Sequence, residues 1–248
     1  MTPPVFLVDP HSVADAEVGD VIPVLGTEGH HGAAALRLQR GEQVDLVDGA
    51  GLRVTGAVDS VGPGSFDVAI ESVTTDAAPR PLITVVQALA KGDRGESAVE
   101  MLTECGADRI APWAAARSVA VWRGDKADRG TRRWRAVARA ATKQSRRSRI
   151  PEVTGMVTTS AVCALLQSAS LGLVLHEEAA ARLSRLTLPD DGDVVVVVGP
   201  EGGITDSELT AFVECGALPV RLGESVLRTS TAGVAATALL MAASGRWG

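Results

Sequence analysis

Three short stretches carry residue types that could hold a ligand: His176-Glu177-Glu178, Gly199-Pro200-Glu201-Gly202-Gly203 and Gly223-Glu224-Ser225-Val226-Leu227-Arg228-Thr229. Each follows an apolar run, at residues 171–175, 194–198 and 218–222, of the kind that forms buried strands. In an open parallel sheet, ligands bind beyond the carboxyl ends of the strands, so the three tails read as parts of one site. Their glycines let the backbone approach a ligand closely and expose N–H and C=O groups to it. Glu201 is either a general base or the cap of the helix that follows, and residue type alone does not separate the two. No GxGxxG follows a strand and no GxxxxGK[ST] occurs, which excludes the usual dinucleotide and nucleotide loops. GxSxG, HExxH and metal-ligand clusters are also missing, so no metal is expected. His30-His31 lacks further ligands and reads as a turn pair.

A second chemical feature is charge. Between residues 123 and 149 the chain has eleven Lys or Arg and two acids, although its formal net charge is −6. A basic stretch on an otherwise acidic protein is an electrostatic footprint for nucleic acid. Aromatics make up 3% of the 248 residues and Tyr is absent, which argues against aromatic cages and broad base-stacking platforms. The three cysteines form no CxxC pair and are expected to be buried thiols in a reducing compartment. The N-terminus lacks a signal-peptide pattern, and no apolar run reaches the length of a bilayer span. The expected location is therefore the cytoplasm, away from membranes.

The elements that must position these residues fall into two parts. Residues 1–75 contain short Val- and Ile-rich runs near residues 5–8, 18–24, 43–47, 53–61 and 65–73. Asp48-Gly49-Ala50-Gly51 and Gly62-Pro63-Gly64 between them are hairpin signals, and the pattern predicts a small β-barrel. A short helix is predicted over residues 31–40, packing through Ala35, Leu36 and Leu38, and a linker over residues 74–81. From residue 82 the pattern alternates strand and helix, which predicts a parallel sheet over residues 76–248. Helices are expected at residues 96–104, 131–148, 205–215 and 229–244. Thr205 and Glu208 form a capping box. Glu-Cys-Gly-Ala occurs at residues 104–107 and again at 214–217, and each Gly closes a helix before a strand. Trp134 shares helical spacing with Val137, Ala138 and Ala141 and reads as core. The last helix, apolar almost all round, must be buried in a core or an interface.

Read in order, GPEGG at residues 199–203, Leu222-Gly223 and Val226-Leu227-Arg228-Thr229 resemble the methyltransferases of the SPOUT superfamily. Within it, the chain is similar to the small-subunit ribosomal RNA methyltransferases that modify N3 of a uridine. Leu89-Ala90-Lys91-Gly92-Asp93-Arg94, Arg117-Ser118, the stretch Gln144, Arg147, Arg149, Ile150, Pro151, Glu152, and His30-His31 with Leu36-Arg37 extend the resemblance over the whole chain. Ser230 departs from it, standing where the family usually has an acid. The resemblance implies a trefoil-knotted parallel-sheet domain preceded by a small PUA-like β-barrel, an α/β protein that works as a homodimer. It implies S-adenosyl-L-methionine held by Leu175, His176, Gly199, Pro200, Glu201, Gly202, Gly203, Leu222, Gly223, Val226 and Leu227. Arg228 and Arg147 would stabilise the developing uracil oxyanion, and Arg37, Arg139, Arg146, Arg147 and Arg149 would grip RNA. The implied substrate is 16S ribosomal RNA, taken as part of the 30S subunit. A non-catalytic RNA-binding assembly factor, or a methyltransferase for another base or a ribose hydroxyl, are the alternatives.

Overall fold

The computed structural model describes residues 2–247. The chain forms two compact units, Met1–Ala78 with Thr142–Ile150, and Pro79–Ala141 with Pro151–Gly248.

The first unit is a five-stranded sheet in the order β1-β3-β4-β5-β2, with β1 Val5–Leu7, β2 Val21–Val24, β3 Gln43–Val47, β4 Leu52–Gly62 and β5 Ser65–Thr75. Only β1 and β3 run parallel. Side chains alternate across a pleated strand. Val54 and Val58 on β4, and Phe66, Val68 and Ile70 on β5, therefore point to one core with Phe6, Val44 and Leu46. Two short helices, α1 Pro10–Val13 and α2 Gly26–His30, join these strands. The helix expected over residues 31–40 is different: α2 precedes it, and residues His31–Leu36 form a π-helical turn. Close packing explains this, since a Cβ on Gly32 would stand 2.4 Å from the Phe66 ring. The turn ends at Arg37, whose φ is +55°, and Leu38 is buried while Leu36 is exposed.

Thr142–Ile150 was expected to belong with the following domain, yet it joins this first unit. Backbone pairing is the reason. Ile150 N–H donates to Gly49 O at 2.9 Å, and Gly51 N–H donates to Ser148 O at 3.2 Å. Arg53 Nη2 donates to Arg146 O at 2.9 Å, and Lys143 pairs with Glu28 at 2.8 Å. The Arg149 guanidinium lies on Gly51, where a Cβ would meet its Nη2 at 2.3 Å, and it donates to Asp76 O at 2.6 Å.

The second unit is a seven-stranded, wholly parallel sheet in the order β10-β12-β9-β11-β6-β7-β8. Its strands are β6 Leu82–Ala88, β7 Arg109–Trp113, β8 Glu152–Val153, β9 Leu171–Leu175, β10 Ala181–Arg182, β11 Asp193–Val198 and β12 Leu218–Arg221. The helices are α3 Arg94–Cys105, α4 Asp125–Gln144, α5 Thr159–Ser168, α6 Asp206–Glu214 and α7 Thr229–Ala243. The run of valines in β11 splits by parity. Val194, Val196 and Val198 face a cluster with Leu102 of α3, Trp134 of α4 and Leu240 of α7. Val195 and Val197 face the opposite cluster, with Val162 of α5 and Phe212 of α6. Both faces of the sheet are covered, as a parallel sheet requires.

Several details follow from local chemistry. Gly106 and Gly216 take φ of +100° and +92°, and Ala107 and Ala217 N–H groups reach back to Leu102 O and Phe212 O, so each repeated Gly ends a helix. The capping box at Thr205 and Glu208 is present. Helix α4 starts six residues before the expected 131 and stops at Gln144, short of 148. The polar start of α4 hides it from a periodicity reading, and Trp122 roofs it: the ring sits over Gly130 and meets Trp134 edge-on at 5.3 Å. Trp134 itself is 1% exposed, a core residue. Helix α5 and the two-residue strands β8 and β10 were not anticipated. The three cysteines are half-buried, not buried. Burial, with a contact from Cys215, pushes the Cys163 thiol up to about 11.

Removing the Arg149 guanidinium strips a backbone partner from the first unit. Arg149→Ala should lower the unfolding free energy by about 1–3 kcal/mol in urea titration.

Candidate active site

Every strand of the second unit points the same way, so its carboxyl ends share one edge. The loops after β9, β11 and β12 meet there around a cavity of about 660 Å³. Leu175, His176, Gly199, Pro200, Glu201, Gly202, Gly203, Leu222, Gly223, Val226 and Leu227 all line it, together with Arg228. The remaining expected residues lie elsewhere. Arg37, Arg146, Arg147 and Arg149 belong to the first unit, and Arg139 stands exposed on α4.

The β9 loop is held by the neighbouring strand. His176 N–H donates to Val220 O at 2.9 Å, and His176 Nδ1 accepts Glu178 N–H at 3.3 Å. The β11 loop closes as a turn in which Gly203 N–H donates to Pro200 O at 2.9 Å, with Gly203 at φ +75°. A Cβ on Gly199 would meet Ile204 at 2.7 Å, and one on Gly202 would meet Arg117 Cβ at 3.0 Å. Two of these glycines are therefore required by packing within the chain. Gly223 is different. Its φ is not positive, and a Cβ there would meet nothing within 4 Å. The protein itself does not require that glycine, whereas a ligand lying against the loop would.

Glu201 does not cap α6, since Thr205 and Glu208 do. Its Oε1 instead accepts Lys91 N–H at 3.1 Å and lies 3.5 Å from Arg94 Nη1. Arg117 Nη1 donates to Gly202 O at 3.3 Å. Arg228 makes no ion pair with Glu201 or Glu224. Its carbonyl accepts Thr231 and Ala232 N–H, and its side chain is exposed on the cavity wall. Ser230 lies buried in the first turn of α7.

Sequence reasoning missed Arg94, Arg117 and Arg221 as lining residues. Arg94 opens the helix after β6 and Arg117 stands on the loop after β7, so the strand-end rule applied to those strands would have found them. Arg221 Nε is buried, a donor on the cavity wall with no acceptor among the described residues. Glu208 braces the loop that carries Arg117. Burial pushes its carboxyl up, but hydrogen bonds from Ala116 N–H, Thr205 N–H, and the Thr205 and Thr159 hydroxyls outweigh this and hold it below its ordinary value.

The comparisons with known proteins point to one family. A family model described as an RNA methyltransferase domain matches residues 78–241. The ribosomal RNA small subunit methyltransferase E of Mycobacterium bovis is 43% identical over 235 residues, covering 93% of this chain and 90% of that protein. The protein of the same name from Bacillus subtilis is 28% identical, covering 87% of this chain and 88% of its own length. The crystal structure of the Neisseria gonorrhoeae ribosomal RNA small subunit methyltransferase E bound to S-adenosyl methionine superposes with a TM-score of 0.82 at 26% identity, covering 97% of this chain and 98% of that one.

Two outcomes follow from the site. Gly223→Val should leave thermal unfolding unchanged while weakening binding of the methyl donor at least about tenfold by calorimetry, since a Val fills space that only a ligand would use. Glu208 ionises more readily folded than unfolded, so it stabilises the fold above its ordinary pKa near 4.5 and loses that contribution as pH falls through the lower folded value. The stability gap between wild type and Glu208→Gln should therefore be constant from neutral pH down to about 4.5 and shrink below it, measured by urea unfolding across pH.

Proposed function

This chain belongs to the RNA methyltransferase family that includes the ribosomal RNA small subunit methyltransferases E, and on that premise we propose that it methylates N3 of a uridine in 16S ribosomal RNA with S-adenosyl-L-methionine as methyl donor. The observation that carries this reading is the convergence of three strand-end loops on one cavity. The donor fits the residues present. It is an amphipathic molecule with an adenine, a ribose, a charged methionine end and a sulfonium. The cavity wall offers apolar surface from Leu175, Val198, Ile204, Leu222, Val226 and Leu227, glycine backbones open to polar contact, and the unpartnered Nε of Arg221. When bound, it supplies a methyl group already activated on sulfur.

The work left to the protein is binding, orientation and control of charge. The backbones around Leu175, His176, Gly199, Gly202, Gly223 and Leu227 grip the donor, and the apolar side chains between them keep water from the reacting atoms. Arg228, exposed on the wall, meets negative charge arriving with the substrate or developing on it. Arg37, Arg139, Arg146 and Arg147 contact RNA phosphates. Arg149 is left out of that set because its guanidinium already donates to Asp76 O.

The finer architecture is part of the same proposal. The sheet of the first unit is a PUA-like barrel, and the path of β11, α6, β12 and α7 across the second sheet is the trefoil knot. The protein acts as a homodimer on the small subunit in the cytoplasm; no helix among the described residues is long and apolar enough to cross a membrane.

The test is to incubate the pure protein with methyl-labelled donor and small ribosomal subunits lacking the modification, then to identify labelled nucleosides by mass spectrometry. The expected product is 3-methyluridine. Label in a ribose methyl or another base would move the reaction within the superfamily. No label and no donor binding would replace the enzyme with an RNA-binding assembly factor.

A further inference from the structure

The carboxylates on the cavity wall are not equivalent. Glu177, Glu178, Asp206 and Glu224 are exposed, and no hydrogen bond or ion pair among the described residues fixes their side chains. Glu201 is anchored, with Oε1 on Lys91 N–H at 3.1 Å and 3.5 Å from Arg94 Nη1, and with its side chain only 25% exposed. The neighbouring carbonyl, Gly202 O, accepts Arg117 Nη1 at 3.3 Å. Glu208 steadies that arginine's loop by accepting Ala116 N–H at 2.8 Å. One guanidinium, that of Arg94, thus lies beside the fixed carboxylate, and a second, that of Arg117, holds the backbone carbonyl of the next residue. The imidazole in the wall is less suited to take a proton. His176 Nδ1 already accepts Glu178 N–H, which leaves Nε2 as a donor in the neutral ring.

Uracil N3 lies between two carbonyl groups. Losing its proton leaves an imide anion whose charge is shared among N3, O2 and O4. A site selective for this species needs an acceptor for the proton and a donor at each oxygen, and the acceptor must draw aside once protonated, because the methyl group bonds to the same in-plane lone pair on N3. The anchored carboxylate of Glu201, with Arg94 beside it and Arg117 on the adjoining carbonyl, all lining the cavity, supplies that set. We propose that Glu201 accepts the N3 proton of the target uridine while Arg94 and Arg117 hold its O2 and O4. The assignment rests on the uridine-N3 reading above and names the groups that carry it out. The N3–H bond breaks, its electron pair stays on the ring, and the proton forms an O–H bond on Glu201. The negative charge moves from the carboxylate to the uracil, where both oxygens face cations that never give up their own protons. The same set selects the base. Cytosine carries an amino donor where uracil has O4, and that donor would face a guanidinium.

The test uses the full-length protein, S-adenosylmethionine, and small subunits carrying either uridine or 5-fluorouridine. Fluorine makes N3 more acidic, so a missing base matters less. Glu201→Gln keeps the side chain's size. It should lower kcat on uridine about 10²- to 10⁴-fold at saturating S-adenosylmethionine, and 5-fluorouridine should restore most of the loss. Arg94→Ala and Arg117→Ala should each lower kcat more than they raise KM for the subunit. Wild-type kcat in Glu201→Gln, or an equal loss on both substrates, would overturn the assignment while leaving the uridine-N3 reading intact. Wild-type protein that makes no 3-methyluridine would overturn that reading and this assignment together.

Discussion

Seven strands running in one direction put all their carboxyl ends on a single edge, and the active site depends on that constraint. Loops far apart in sequence, after residues 88, 113, 175, 198 and 221, are brought to that edge by register alone. Register is in turn held by the parity of β11, whose valines face α3, α4 and α7 on one side and α5 and α6 on the other. A slip of one residue would exchange the two faces and put the strand ends out of line. The catalytic geometry is thus a by-product of burying both faces of a parallel sheet.

Two glutamates near this edge show how the same side chain is given different work. Glu208 is buried and its oxygens are saturated by backbone and hydroxyl donors, so it acts as a brace between α6 and the loop after β7. Glu201 has one oxygen tied to Lys91 N–H and sits on the cavity wall. Saturation leaves no lone pair for chemistry, whereas partial anchoring gives orientation and leaves capacity for a proton. The arginines divide in the same way. Arg149 is consumed by the backbone of its own unit, while Arg94 and Arg117 touch the GPEGG loop and still line the cavity.

Local signals proved readable wherever a short stretch of chain decides the outcome. The capping box at Thr205, the helix-closing Gly106 and Gly216, the valine strands and the core role of Trp134 all depend on neighbours within a few residues or on strong periodicity. Failures came where a distant partner decides. The π-helical turn at His31–Leu36 exists because Gly32 must pass the Phe66 ring, and the early start of α4 exists because Trp122 folds over Gly130. Neither partner can be named from a window of sequence. The family resemblance was legible because it rests on short runs of residue type in the strand-end loops, GPEGG above all, which are read directly from the sequence.

By itself, the sequence determined the main valine-rich strands, the longer helices except α5, the strand-end loops and the basic stretch over residues 123–149, because each is written in residue type and spacing. The tertiary structure decided which of those charges are available. It assigned Thr142–Ile150 to the first unit through backbone pairing with Gly49 and Gly51, and it spent Arg149 there. It also brought Arg94 and Arg117 to Glu201 and Gly202 across more than eighty residues of chain. Such pairings follow from strand order in the sheet, and strand order is set by the packing of the whole unit, which no local stretch of residues encodes.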